Sequence, residues 1–526
     1  MAAESVGDRL DETTCDRLRN RVTTVGSREA LPVTAPYTNE VVGTVPRCRP
    51  ADIDAAVDRA RSAQSAWAAR SVENRATVLK RFADSVLANR ERLLDVIQVE
   101  TGKTRLDALA EVLDVVLTAD YYAENGPEQL AGSRRGSRLP GLTRVETHHD
   151  PVGVAGFVEP WNYPLTLAIS DFLPALLAGN TVVLKPAEET PFTALLAHEL
   201  LVEVGVPEET VQVVTGEGEP LGEPLVAGVD QITFTGSTET GRAIGSLAGK
   251  HLVDASLELG GKNPAIVLAD ADLDAAVRAL VWGSYANAGQ LCLSFERIYV
   301  EQSAYAEFRD RFVEATASRS LGATFDFGPN VGSLISEAQR SVVETHVEDA
   351  RARGATVLTG GERREDVGPL FYEPTVLADL PAEATAATEE TFGPVVTIEP
   401  VADATAGVRQ ANATDYGLHA SVWTADRERG RSLARQIRAG SVSVNDAFAG
   451  MWASTDAPMG GVGDSGIGRR HGPEGISKFT ETQTVTSQRG PPLVPIDAVP
   501  AGIVARGAIL GIGAVRRLKR RFPPWL

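Results

Sequence analysis

Apolar residues recur at helical spacing in the first quarter of the chain. Ile53, Val57 and Ala60 share one face of a predicted helix over 51–69. Val78, Phe82, Val86 and Leu93 share a face of another over 73–98, and a third helical stretch covers about 104–124. The period then changes. Residues 132–150 are rich in Gly and Arg and turn strand-like at 142–147, which predicts a segment bridging two lobes. From 152 to 250, short apolar or β-branched runs at 152–158, 181–184, 211–214 and 231–234 alternate with helical stretches. One helix opens at Pro191 and stops near Gly205; another covers 238–249. Strands and helices alternating at this spacing predict a parallel sheet covered by helices.

The pattern repeats with different content. A strand at 264–268 precedes Asp270 and Asp272, either of which would cap a helix running through Ala288. Strand-like runs follow at 297–300, 356–358, 395–398, 421–424 and 441–444, and the chain is Gly-rich from 460 to 475. The expected organisation is a first lobe of 1–131 with 152–257 and a second lobe of 258–450. Bridging segments at 132–151 and 465–490 and a tail at 491–526 complete it.

Composition narrows the function classes. Acidic residues number 70 and basic residues 51, a net charge of −19 over 526 residues, which argues against a nucleic-acid partner. The only cysteines are Cys15, Cys48 and Cys292, too few for a disulfide framework, and no zinc-ligand spacing or other metal signature is present. Residues 1–21 are polar and do not read as a signal peptide, so a cytoplasmic setting is expected. Lysine is rare: 44 of the 51 cations are arginine. The tail reverses the charge, with six basic residues after Asp497 and a body of −25 without them. As a helix it would place Val504, Ala508, Val515, Leu518 and Phe522 opposite Arg506, Arg517 and Arg520. It is too interrupted by Gly and Pro to span a membrane. Packing on an acidic neighbouring subunit, or disorder, is preferred to lying on an anionic membrane.

Four short segments carry candidate chemistry. Gly236 and Ser237 form a turn between a strand and a helix, where free N–H groups can meet phosphate, although most such turns are plain caps. Asn162 sits in a stiff loop between Pro160-Trp161 and Tyr163-Pro164, from which an amide can donate to an oxyanion or simply make a local turn bond. Glu258 precedes Leu259 and paired glycines, which let water or a ligand come close. Cys292 lies between Leu291 and Leu293 and alone would read as a buried small hydrophobe; Gly289 just before it suggests a helix end and a close backbone approach.

Together, Asn162, Lys185, Gly236-Ser237, Glu258, Cys292 and Glu390-Thr391-Phe392-Gly393-Pro394, in this order and spacing, resemble the NAD(P)-dependent aldehyde dehydrogenase superfamily from about residue 30 to 487. The segments at 334–339, 372–377 and 468–475 look most like bacterial enzymes described as succinate-semialdehyde dehydrogenases. The resemblance implies an α/β fold with two Rossmann-like lobes, the first binding NAD(P) and the second catalytic, a small bridging sheet, and a homodimer or homotetramer. It implies that Cys292 attacks the aldehyde, that Asn162 and the Cys292 N–H hold the oxyanion, and that Glu258 activates water. It assigns Lys185 and Glu188 to the adenosine ribose, Trp161, Gly236 and Ser237 to the pyrophosphate, and Glu390, with Phe392 beside it, to the nicotinamide ribose. Glu188 predicts a preference for NAD, with NADP as the alternative, because a carboxylate accepts ribose hydroxyls and repels a 2′-phosphate. Where some members carry a late Glu proton relay, this chain has Arg469-Arg470.

The substrate is less uniform. Enzymes for succinate semialdehyde carry arginines at positions that match Ala286 and Ser170 here, neither of which pairs with a carboxylate. Asp171 would repel one, and Phe448, Met451 and Trp452 suggest an apolar mouth. The reading is therefore an aldehyde dehydrogenase of the succinate-semialdehyde type, with medium-chain aliphatic or aromatic aldehydes as the alternative. The retained Glu258 favours release to water over release to a thiol, and the complete Cys292, Glu258 and Asn162 set opposes a catalytically silent homologue.

Overall fold

A computed structural model of the chain describes residues 9–137, 143–489 and 500–521, with side chains described through 517. Leu518, Arg520 and Phe522, expected on the faces of the tail helix, lie outside the described side chains. Two units are distinct by their contacts: one holds residues up to Ala131 together with His149–Glu481, the other Gly132–His148 with Thr482 onward.

Besides a two-stranded antiparallel sheet, Ala30–Ala35 with Glu40–Pro46, the larger unit contains two large sheets. One has six strands in the order Gly466–Ile467, Asp254–Glu258, Gln231–Thr235, Val154–Val158, Thr181–Lys185 and Val211–Val213; all pairs are parallel except the first. The other has seven, in the order Thr356–Thr359, Thr375–Ala378, Val395–Val401, Phe295–Glu301, Asn263–Val267, His419–Trp423 and Ser441–Val444, antiparallel only at the first pair. Thr181–Lys185 and Gln231–Thr235 are buried at every position. This explains why they read as continuous apolar or β-branched runs, as strands covered on both faces do. Pro160, Lys185, Gly236 and Glu258 all fall at or just beyond carboxyl ends of the parallel strands, where open α/β sheets bind ligands.

The helical readings hold with two adjustments. The stretch expected as one helix over 73–98 is two, Val72–Ala88 and Arg90–Thr101. Asn89 breaks it: its side-chain amide donates to the Ser85 carbonyl at 2.9 Å, and its backbone leaves the helical region. The helix expected to run through Ala288 ends at Tyr285, because Asn287 and Ala288 take left-handed backbone angles. Of the two candidate caps, Asp272 accepts from the Ala275 N–H at 3.0 Å, while Asp270 accepts from the Thr424 hydroxyl. The helices Gln302–Ala317 and Glu337–Ala352 and the strand Asp254–Glu258 have no counterpart in the sequence reading.

The smaller unit is built on a three-stranded antiparallel sheet, Thr480–Gln488, Thr143–Pro151 and Ser133–Arg135, whose first and middle strands begin and end in the larger unit. Its last element is the helix Ala501–Arg521, with Ile509 and Leu510 70% and 68% exposed.

Candidate active site

The loop that carries Cys292 is fixed by its own sequence. Asn287 and Ala288 have φ of 50° and 55°, and Gly289 follows at 72°. A Cβ on Gly289 would lie 2.0 Å from the Gly393 carbonyl oxygen, so glycine is required at that approach. The Gln290 amide donates to the Asn287 and Ser333 carbonyls and accepts from the Ile335 N–H. Asn263 Nδ2 donates to the Cys292 carbonyl at 2.7 Å. The Cys292 side chain is therefore presented by backbone that has no slack.

Asn162 lies against this loop, 3% exposed, with its Nδ2 donating to the Gln290 carbonyl at 3.0 Å and its Oδ1 unpartnered. Its own carbonyl accepts from Lys103 Nζ at 2.6 Å and from Asn287 Nδ2 at 2.9 Å. Lys103 is paired with Glu111 at 2.6 Å, and neither is exposed. The second Glu111 oxygen accepts from the Leu165 and Thr166 N–H groups. A buried pair of this kind survives because its hydrogen bonds are used. Sequence reasoning missed Lys103 and Glu111. The available signal was lysine's rarity: Lys103, Lys185, Lys262 and Lys478, four of the seven, are all buried or partly buried.

Glu258 is 6% exposed and its Oε1 has no partner. Burial pushes its pKa up to about 8, against the pull of Lys478 and Arg470. Burial also pushes the Cys292 thiol up to about 12, with Glu390 adding to the rise and Arg470 opposing it, although the residue as a whole is only partly covered. Glu390 accepts from the Gly261 N–H at 2.7 Å and packs on Gly260, where a Cβ would lie 2.2 Å from its Oε2. Its pKa is likewise raised to about 8, first by burial. The Phe392 backbone is left-handed, at φ 51°, and its ring meets Trp161 edge-on with centroids 5.6 Å apart. Glu296, paired with Lys262, accepts from the Thr391 and Phe392 N–H groups and so clamps this loop.

Three cavities are arranged around these groups. A cleft of about 310 Å³ has Trp161, Gly236, Ser237, Glu258, Glu390 and Phe392 in its wall, with Asn162 and Cys292 at one end. A narrow neck of about 30 Å³, room for about one water, shares Asn162 and Cys292 with that cleft. A mouth of about 410 Å³ shares Asp114, Tyr163 and Trp452 with the neck and is otherwise mostly apolar, including Leu113, Trp282 and Phe448. Lys185 and Glu188 stand outside the cleft's wall, at the end of the adjacent strand, with Lys185 Nζ 3.5 Å from Glu188 Oε2.

The chain belongs to the aldehyde dehydrogenase family. The family's model matches residues 23–485. A Mycobacterium tuberculosis protein named as a putative NADP(+) succinate-semialdehyde dehydrogenase is 44% identical over 508 residues, 96% of this chain and 98% of that one. Among solved structures, a Staphylococcus aureus betaine aldehyde dehydrogenase in complex with NAD+ has a TM-score of 0.86 at 32% identity, covering 91% of this chain and 98% of its own. An Escherichia coli NADP-dependent enzyme has a TM-score of 0.85 at 34% identity, covering 89% and 97%. The family resemblance and the α/β fold read from the sequence are therefore established, as is a dehydrogenase that uses NAD or NADP.

One expectation is corrected. The sequence reading left the substrate passage without an arginine, but Arg470 lines the neck beside Cys292. Its position was not legible because the bridge between Arg470 and Met459 brings it there from a Gly-rich stretch with no regular periodicity. Ser170 donates to Asp114 at 2.7 Å, Asp171 pairs with Arg470 at 2.8 Å, and Ala286 lines the mouth.

Proposed function

We propose that this aldehyde dehydrogenase uses Cys292 as nucleophile, Asn162 as oxyanion donor and Glu258 as general base, with a semialdehyde as substrate. The observation that supports the reading is the shared wall. Cys292 and Asn162 border both the cleft and the neck, so one thiol faces a cofactor space on one side and a substrate passage on the other.

The residues fit a nicotinamide dinucleotide. Ser237 caps the helix Thr238–His251 and leaves its N-terminal N–H groups toward a phosphate, Glu390 offers a carboxylate to ribose hydroxyls, and Trp161 and Phe392 wall the cleft. The cofactor, when bound, takes up the hydride. This chain's residues do the rest. Cys292 Sγ attacks the carbonyl carbon as its proton passes to water. The carbonyl oxygen gains charge and is held by the Cys292 N–H and the second hydrogen on Asn162 Nδ2. Loss of hydride leaves a thioester on Sγ. Glu258 then takes a proton from water as that water attacks, the C–S bond breaks, and the acid departs.

A second reading rests on the mouth, whose exposed Leu106, Leu113 and Leu117 suit the apolar body of a medium-chain aliphatic or aromatic aldehyde. A panel of aldehydes assayed with both cofactors separates the two. The semialdehyde reading expects kcat/KM for succinate semialdehyde at least about tenfold above hexanal and benzaldehyde; the reverse order supports the second. The same panel tests the cofactor. Glu188 is expected to favour NAD, and a higher kcat/KM with NADP would show that its carboxylate swings away from the 2′ position.

We infer a cytoplasmic homodimer or homotetramer, with the helix Ala501–Arg521 packing on an acidic neighbouring subunit. Free thiols at Cys15, Cys48 and Cys292 support the compartment. Among the described residues no helix is long and apolar enough to cross a membrane. The basic, exposed helix also suits an anionic leaflet. Deleting 491–526 is expected to leave turnover within about twofold, as for a terminal segment outside the site. Full-length and shortened chains are expected to sediment equally with phosphatidylglycerol vesicles. Sedimentation lost on deletion would establish the membrane role instead.

A further inference from the structure

Arg470 is an unusual group to find beside a nucleophilic thiol. It is 7% exposed, its backbone is fixed by paired hydrogen bonds with Met459 at 2.7 and 2.8 Å, and its side chain forms part of the neck wall with Cys292. A guanidinium carries five N–H donors in a planar fork. Here Nη2 lies 2.8 Å from Asp171 Oδ1, yet neither Nε nor Nη2 has a hydrogen-bond acceptor, and Asp171 Oδ2 is unpartnered too. Asp114, the acid that lines the neck, does not supply the acceptor. Its two oxygens accept from the Ser170 hydroxyl and from Trp452 Nε1, each at 2.7 Å. Burial moves Asp114, Glu159 and Glu258 toward their neutral forms, and it moves Lys478 toward its neutral form as well. Asp171 stands directly against a guanidinium whose donors are only partly spent.

We propose that Arg470 is the specificity residue that receives the second carboxylate of an aldehyde substrate, so that the chain takes short ω-carboxy aldehydes. The proposal rests on the semialdehyde reading above and deepens it. Cys292 and Arg470 share the wall of the same narrow neck, so a carboxylate reaches Arg470 only when it lies close to the carbonyl held at Cys292. Asp171 fixes the guanidinium without using its fork, and a planar carboxylate supplies the acceptors that Nε and Nη2 lack. A neutral aldehyde of the same length leaves those donors empty.

The test compares succinate semialdehyde with butanal, its four-carbon analogue without the carboxylate, in the full-length wild type, Arg470→Met and Arg470→Lys. In Arg470→Met, kcat/KM for succinate semialdehyde is expected to fall at least about 100-fold, mostly through KM, the loss typical of removing one partner of a buried charged contact. The value for butanal is expected to fall at least about tenfold less, and Lys to restore part of the difference. Succinate is expected to raise the melting temperature of the wild type and not of Arg470→Met. Equal losses for both aldehydes, or no loss for either, would overturn the proposal and leave Arg470 as a structural partner of Asp171. If Arg470→Met does not fold, the Lys variant and succinate protection of the wild type decide, and a wild type unprotected by succinate overturns it. A wild type that prefers butanal refutes the semialdehyde reading itself, which the variants do not address.

Discussion

Cys292→Ala is expected to lower steady-state aldehyde oxidation by at least about 10,000-fold, the order of loss seen when a covalent nucleophile is removed. The cofactor is expected to bind as before. The groups that shape the loop bond backbone atoms: Asn263 holds the Cys292 carbonyl, and Gln290 ties down Asn287 and Ser333. Alanine keeps all of these, so the lost turnover would report the sulfur alone. No other thiol can stand in. Cys15 and Cys48 are 3% and 4% exposed within the apolar core, and burial raises both thiols, Cys15 to about 12. NADH absorbance measures the turnover, and quenching of protein fluorescence by NADH measures binding. Near-normal turnover in the variant would sink the assignment of the nucleophile.

How legible the molecule was depended on where the relevant forces act. The first sheet was readable because its inner strands are buried on both faces, so local composition alone reports burial, as at Thr181–Lys185. Asp254–Glu258 escaped because it opens on exposed Asp254 and only its last three residues are buried. The helix Glu337–Ala352 escaped for a different reason. It buries Arg340 and His346 along with Val343 and Val347, so polar residues interrupt its inner face. At the site, local motifs drew attention to Asn162, Glu258 and Cys292 and the family resemblance to Glu390, and these do meet around the cleft. The groups that hold or flank them were not legible. Lys103 reaches Asn162 across the fold, and Arg470 reaches the neck through a bridge to Met459. Such contacts depend on tertiary packing, which no spacing along one strand or helix encodes.

Glu258→Gln is expected to separate the two halves of the reaction. Hydride transfer needs only the thiol and an oxyanion site, so about one equivalent of NADH per active site should appear rapidly. Hydrolysis of the thioester needs a base, and the steady rate that follows is expected to fall about 100- to 10,000-fold, the usual span of general-base assistance. The pH dependence carries the same signature. Glu258 acts in its ionised form, and burial raises its pKa to about 8, so wild-type kcat is expected to climb as pH rises through that value. Glutamine does not titrate, and the variant's slow steady rate should lack this limb. The stability effect has the opposite sign. Because the fold favours the neutral carboxyl, Glu258 contributes its full stability below its ordinary value of 4.5, and the contribution is lost as pH rises through about 8. The variant is therefore expected to lose less of its melting temperature between pH 6 and pH 9, about one to two pKa units on either side of that titration. Quenched-flow NADH traces show the burst directly. A variant with no burst would place Glu258 in the acylation half, where the buried thiol needs a proton acceptor, and a variant with a burst followed by an unchanged steady rate would remove it from catalysis.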